Sequence, residues 1–117
     1  MLGGKTAVRY KFWVEHNDAL VFGVGRFRLL QDIDRLGSIS KAAETNHMSY
    51  RAAWGKIRAT EERWGVKLVL TTVGGSTGGG AELTDEARGL LERYEGFAAE
   101  AESAVEGKFE KFFADLR

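Results

Sequence analysis

Ser49, Tyr50 and Arg51 stand together at the head of a segment that also carries Trp54, Lys56 and Arg58. Two hydroxyls, an indole and three cations within ten residues are hydrogen-bond donors, and such groups bind rather than react. An arginine can donate two parallel hydrogen bonds to guanine O6 and N7, while hydroxyls and lysines donate to phosphate or to a base edge. The chemistry on offer is recognition of a polyanion, double-stranded DNA in particular. Each position also has a plainer reading. Arg51 and Lys56 can be a solvated helix face, and Trp54, one turn beyond Tyr50, can bury itself against a neighbouring helix.

Catalysis is poorly provided for. No cysteine is present, which removes a thiol nucleophile, a thiolate metal site and a disulfide framework. His16 falls in a turn and His47 between two helical segments, and neither has a partner at a ligand-like spacing such as H-x-x-x-H. Glu61 and Glu62 are adjacent, so on a helix they point about 100° apart and read as solvated surface. Gly74–Gly80, GGSTGGG, lacks the lysine of a phosphate-binding loop and leads into a strand rather than a helix. Gly23-Val24-Gly25 begins a dinucleotide-like pattern, but Arg28 occupies its last glycine position. The expectation is no catalytic residue, no metal and no cofactor, hence not an enzyme.

The bulk properties agree with a soluble binding module. The chain has 117 residues, 44% hydrophobic and 29% charged, enough for one globular domain spanning 1–117. It contains no apolar run near the ~18 residues of a membrane span. Met1–Lys11 opens with glycines and then alternates, unlike a secretory signal, so a cytoplasmic location is expected. The tail Lys108–Phe113 is aromatic, yet residues 105–117 balance three basic against three acidic side chains, which gives an anionic lipid surface no reason to attract it. The net charge of zero is unevenly spread. Residues 1–37 and 38–83 each carry six basic side chains against four acidic, and residues 84–117 carry five against nine.

Periodicity supplies the elements that must position these groups. Thr6–Glu15 alternates, with Val8, Tyr10, Phe12 and Val14 on one face of a strand. His16-Asn17-Asp18 has turn chemistry, Ala19–Phe22 can return as the second strand, and Gly23 and Gly25 break it. Arg26–Leu36 has helical period, with Gly37 as its C-terminal cap. Ser38 or Ser40 can cap a short second helix that buries Ile39, Ala42 and Ala43 and ends at Asn46-His47. Ser49 caps a third helix that buries Ala53 and Ile57 and runs to about Trp64, where Gly65 stops it. Short helix, tight turn and longer helix make a helix-turn-helix. Val66–Val73 and Ala81–Leu83 then read as a hairpin around the glycine-rich tip. Thr84 caps a helix of about thirty residues, ~45 Å long, with a stripe that includes Leu90, Leu91, Tyr94, Phe97, Ala101, Val105, Phe109 and Phe112. A stripe that long exceeds what the rest of the chain can cover, so a second copy is expected to cover it.

Leu29–Thr84 resembles the DNA-binding domain of the molybdate-responsive ModE regulators and, more distantly, the winged helix of LysR-type regulators. The residues that carry the likeness are Gly37-Ser38-Ile39-Ser40 into Ala42-Ala43, Met48-Ser49-Tyr50 with Ala53-Trp54, and the glycine-rich wing ending in Leu83-Thr84. The resemblance implies a mainly α winged helix-turn-helix with small β-hairpins. Its N-terminal hairpin would span 1–25, the helix-turn-helix and wing 26–83, and a dimerisation helix 84–117. It further implies a homodimeric regulator on operator DNA, with Ser49, Tyr50 and Arg51 as the recognition turn, Ser40 and Lys41 on phosphate, and Thr72, Ser76 and Thr77 as the wing's contacts. Two departures stand out. The wing has no Lys or Arg between Lys67 and Arg88, and these 117 residues contain no match to the family's oxyanion-binding domains. Molybdate- or tungstate-related gene control is thus implied without an oxyanion effector on this chain. The alternative is a protein-interaction or dimerisation module that has lost DNA affinity and docks a separate sensor protein.

Overall fold

The computed structural model describes residues 4–73 and 79–116. Asn17 and Asp18 turn the chain first. Both sit at positive φ, 51° and 64°, the pair a two-residue primed turn requires and that Asn and Asp tolerate. The turn joins β1 (Trp13–His16) to β2 (Ala19–Gly23), antiparallel, with Trp13 opposite Gly23 and a register shift between Val14 and Glu15. The first strand is shorter than the expected Thr6–Glu15. Thr6, Val8 and Phe12 are half-buried while Tyr10 on the same face is exposed, and β2 offers only five residues to pair with. The earlier residues lie against the last helix instead.

Helix α1 (Val24–Leu36) begins two residues before the expected Arg26, so Gly25 is inside a helix rather than in a break. Glycine costs little in the first helical turn, where its N–H has no intrahelical acceptor to lose. Gly37 ends α1 in the left-handed conformation, φ 69°, with its N–H on the Ile33 carbonyl. Of the two candidate caps for α2 (Ile39–Thr45) it is Ser38 that serves, its side chain accepting from the Lys41 N–H at 3.1 Å. Asn46 closes α2 and ties it to α1, donating to the Ala42 carbonyl at 2.7 Å and to Asp32 Oδ2 at 2.8 Å.

Helix α3 (Tyr50–Trp64) has the expected limits, with Ser49 accepting from the Ala52 N–H at its start and Gly65 left-handed at its end. Strands β3 (Val69–Thr72) and β4 (Gly80–Leu83) pair antiparallel, Val69 opposite Leu83 and Thr72 opposite Gly80. Here too the first strand is shorter than the expected Val66–Val73, because Val66 is held back by its N–H on the Glu61 carbonyl. Gly79 must be glycine, since a Cβ there would sit on the Thr72 carbonyl oxygen. The Ala81 N–H bonds to the Gly37 carbonyl at 2.9 Å and fastens this wing to the α1–α2 corner.

Helix α4 (Asp85–Phe113) starts from Thr84, which accepts from the Ala87 N–H at 3.1 Å and donates to the Lys67 carbonyl at 2.7 Å. A 3-10 turn, Ala114–Leu116, follows it. The buried core gathers Phe22, Leu29, Leu30, Ile33, Ala42, Ala43, Ala53, Ile57, Leu68, Val69, Leu83, Ala87 and Tyr94. The arrangement is a winged helix-turn-helix with a second hairpin at its N-terminus and a helix about 44 Å long behind it.

Candidate nucleic-acid interface

The helix-turn-helix geometry begins with what holds α3 outward. Ala53, Ile57 and Thr60 are buried, and Thr60 anchors the helix from below by donating to the Val21 carbonyl at 2.5 Å. With this face fixed inward, Arg51, Ala52 and Gly55 lie on the outer face and are exposed. Two of those three are small, so the helix surface around Arg51 is low and can approach another surface closely. Arg51 makes no hydrogen bond or ion pair among the described residues. Its guanidinium is free to take a ligand.

Gly55 divides two flanks. Trp54 and Lys56 are one residue either side of it, about 100° around the helix in opposite directions. On the Trp54 side a cleft of about 630 Å³ runs between α2, α3 and the wing, lined by Ser38, Ser40, Tyr50, Trp54, Thr71 and Thr72 among others. Tyr50 stands 55% exposed at its mouth. Trp54 is half-buried against the core with Arg58 stacked 4.7 Å above its ring. The ring packs in part against the core, as the plainer of the two readings has it, and carries the Arg58 cation. Lys41 is exposed near the start of α2. Thr72 is on the wing, where its hydroxyl accepts from the Gly80 N–H at 3.1 Å and braces the hairpin. Ser76 and Thr77 lie outside the described residues.

On the Lys56 side the neighbours are α1 and the N-terminal hairpin. Arg26 Nε donates to the Lys56 carbonyl at 3.4 Å, and Arg63 donates to the Leu20 carbonyl. Burial, and secondarily the charge of Arg63, hold the Arg26 guanidinium below its usual pKa. Neither bond nor crowding was visible in the sequence, because they join residues thirty to forty positions apart.

Glu61 requires a correction. It is not solvated surface: its Oε2 accepts from the Leu68 N–H at 2.8 Å and the Val69 N–H at 3.4 Å. The carboxylate ties the end of α3 to the start of β3 and so sets where the wing stands relative to the recognition turn. Its spacing of seven residues before Leu68 across a glycine stop was the only signal available.

The stripe on α4 divides into two parts. Leu90 and Leu91 are half-buried against the chain's own core, and Tyr94 is only 8% exposed. The Tyr94 ring meets Phe22 edge-on at 5.1 Å and Phe27 at 5.4 Å, and its hydroxyl donates to the Phe12 carbonyl at 3.1 Å. Tyr94 therefore packs inside the chain, where the sequence reading had it facing a second copy. Beyond it the cover thins. Phe97 is 52% exposed despite an edge contact with Phe12, Ala101, Val105 and Phe109 are half-buried, and Phe112 is 66% exposed under Lys111. Phe109 stacks on Phe113 at 5.2 Å, and Tyr10 reaches Glu106 at 3.1 Å.

Among the described residues no group of three or more His, Cys, Asp or Glu could hold a metal, and no helix is long and apolar enough to cross a membrane.

Comparison with known proteins places the same segment. The "Molybdenum transport protein ModE" of Azotobacter vinelandii is 40% identical over 81 residues, covering 69% of this chain and 30% of that protein. The "Transcriptional regulator ModE" of Haemophilus influenzae is 35% identical over 82 residues, covering 70% and 32%. The "Molybdenum-pterin-binding protein MopB" of Rhodobacter capsulatus is 40% identical over 72 residues, covering 62% and 27%. The chain spans about a third of the length of these curated relatives. Residues 24–88, more than half the chain and the stretch from the start of α1 to the first turn of α4, match the family described as "Bacterial regulatory helix-turn-helix protein, lysR family". Fold and matched segment coincide, and the chain belongs to the bacterial regulatory helix-turn-helix proteins of the lysR family.

Proposed function

We propose that this chain is a sequence-specific, double-stranded DNA-binding transcriptional regulator that acts as a homodimer on operator DNA in the cytoplasm. The observation that carries the reading is Arg51: a cation without a partner among the described residues, on the outer face of α3, beside small residues that let the helix sit deep in a major groove. Ser49 and Tyr50 share that turn, Ser40 and Lys41 stand ready for the backbone on the wing side, and Lys56 and Arg58 add charge further along. Residues 1–117 would act as one domain, with α4 bringing two copies together. The incompletely covered Phe97, Ala101, Val105, Phe109 and Phe112 support that last part, together with the helix's length. The names of the relatives attach the reading to molybdenum-related genes.

Selection of bound duplexes from a random pool by the purified protein tests this. A homodimer should enrich an inverted repeat with half-sites about one helical turn, ~10 bp, apart. No enrichment of any sequence at low salt would overturn the reading in favour of a module that docks protein partners.

A further inference from the structure

The flank of α3 opposite the wing holds a second hollow, of about 280 Å³, lined by Lys11, Trp13, Leu20, Val24, Arg26 and Lys56 among others, none of them acidic. Three cationic residues from three separate elements border it: the N-terminal segment, the first turn of α1 and the middle of α3. Lys11, Arg26, Lys56 and the neighbouring Arg63 make no ion pair among the described residues. Glu15, on the hairpin, accepts from the Trp13 indole N–H at 2.9 Å. Arg26 is half-buried and its Nε reaches the Lys56 carbonyl only at 3.4 Å, which leaves its other N–H groups to take a ligand. Like charges lining one hollow without an ion-pair partner call for an anion.

A helix lying in the major groove has a sugar-phosphate strand on each side of it. The wing cleft takes up one side of α3 and this hollow the other, with Gly55 between them. We propose that the Lys11–Arg26–Lys56 hollow is a second backbone clamp, which takes a phosphate of the DNA strand bordering the groove on the side away from the wing. The inference rests on the DNA-binding reading and adds Lys11 and Arg26 as positioning residues that grip the backbone without reading bases.

Lys11 is exposed, so Lys11→Gln tests the clamp without disturbing the core, and Lys5→Gln, an exposed lysine outside the hollow, is the matched control. Binding would be titrated over a salt series on the selected duplex and on a random one. Each subunit of the dimer loses one phosphate contact, so the log–log salt slope flattens by about 1.8 and binding weakens about 60-fold at ~0.1 M salt. Lys11→Gln should show both effects equally on the two duplexes, and Lys5→Gln neither. Phosphate-ethylation interference on the far strand should be present with the wild type and vanish at one position with Lys11→Gln. If Lys11→Gln matches Lys5→Gln while the wild type binds duplex, the clamp is refuted and the DNA-binding reading survives. If the wild type binds no duplex at any salt, both fall together.

Discussion

Glu61→Ala would cut the tie between the recognition helix and the wing, and its cost can be worked from two distances. The Leu68 N–H loses a 2.8 Å bond to a carboxylate, whereas the 3.4 Å contact from Val69 is near the outer limit and contributes little. Leu68 is 1% exposed, so water reaches its amide poorly. A buried N–H left unpaired costs about 1–3 kcal/mol, and a loss of about 2 kcal/mol is expected. At ~2.1 cal/mol/K per residue, a chain of 117 residues has an unfolding entropy of about 0.25 kcal/mol/K, so Tm should fall by about 8 °C. Glu61→Gln keeps an oxygen acceptor without the charge and should lose about half as much. Glu62→Ala, on the exposed neighbour, should stay within about 0.5 kcal/mol of the wild type. Thermal and urea unfolding followed by circular dichroism, at one fixed protein concentration because the proposed self-association would shift the midpoint, read all three variants. A Glu61→Ala protein as stable as Glu62→Ala would refute this tie.

Three further outcomes follow from the same geometry. Arg51→Ala should fold normally yet lose about 1–3 kcal/mol of affinity for the selected duplex in a titration, with little change on random DNA; an equal loss on every sequence would remove Arg51 from base reading. Phe112→Glu places a charge on a ring that is 66% exposed in the single chain. In the proposed two-fold dimer the loss would occur once in each copy, at ~1.5 kcal/mol or more per ring, so sedimentation should show the dimer's Kd raised about 100-fold; an unchanged Kd would refute an interface at that end of α4. Burial, and then the charge of Glu102, raise the Tyr94 hydroxyl above its ordinary value of 10.0. The folded state therefore holds this proton longer than the unfolded one, so stability is intact below pH 10 and declines as pH rises through the folded value. Tyr94→Phe should lose about 1 kcal/mol at neutral pH, from the bond to the Phe12 carbonyl, and show a shallower alkaline decline; an identical alkaline profile would contradict the assignment.

Local rules were legible and distant partners were not. Ser49, Gly65, Gly37 and Thr84 each act on a backbone group within four residues, so a short window of sequence contains the whole interaction. The limits of α3 and the start of α4 follow from them directly. Gly23 and Gly25 misled for the complementary reason: whether a glycine breaks an element depends on what packs on it, and here β2 runs straight into α1. The N-terminal segment shows the same limit at larger scale. Its alternation announces an extended chain with one buried side, but the cover is Phe97 and Tyr94 on a helix some eighty residues away, and period alone cannot tell a helix from a second strand. Tyr94 was misplaced by the same token. A helical stripe says which side is apolar and not where the chain's own core stops along it.

Charge placement gives the interface its direction. A protein of zero net charge has no overall pull toward a polyanion, but residues 84–117 carry nine acidic against five basic side chains, while residues 1–83 carry twelve basic against eight acidic. That unevenness favours approach of a polyanion to the part that carries α3 over approach to α4. The wing cannot supply the remaining grip by charge, because no Lys or Arg lies between Lys67 and Arg88. In the proposed complex the wing side would hold the backbone by one cation, Lys41, with hydroxyls and main-chain N–H groups that contribute little to counterion release. Cations for phosphate are concentrated instead on the flank of α3 that faces α1 and the N-terminal hairpin. Two flanks gripping by different chemistry make separable predictions: salt should weaken the hold of the Lys11–Arg26–Lys56 side steeply and that of the wing side only slightly.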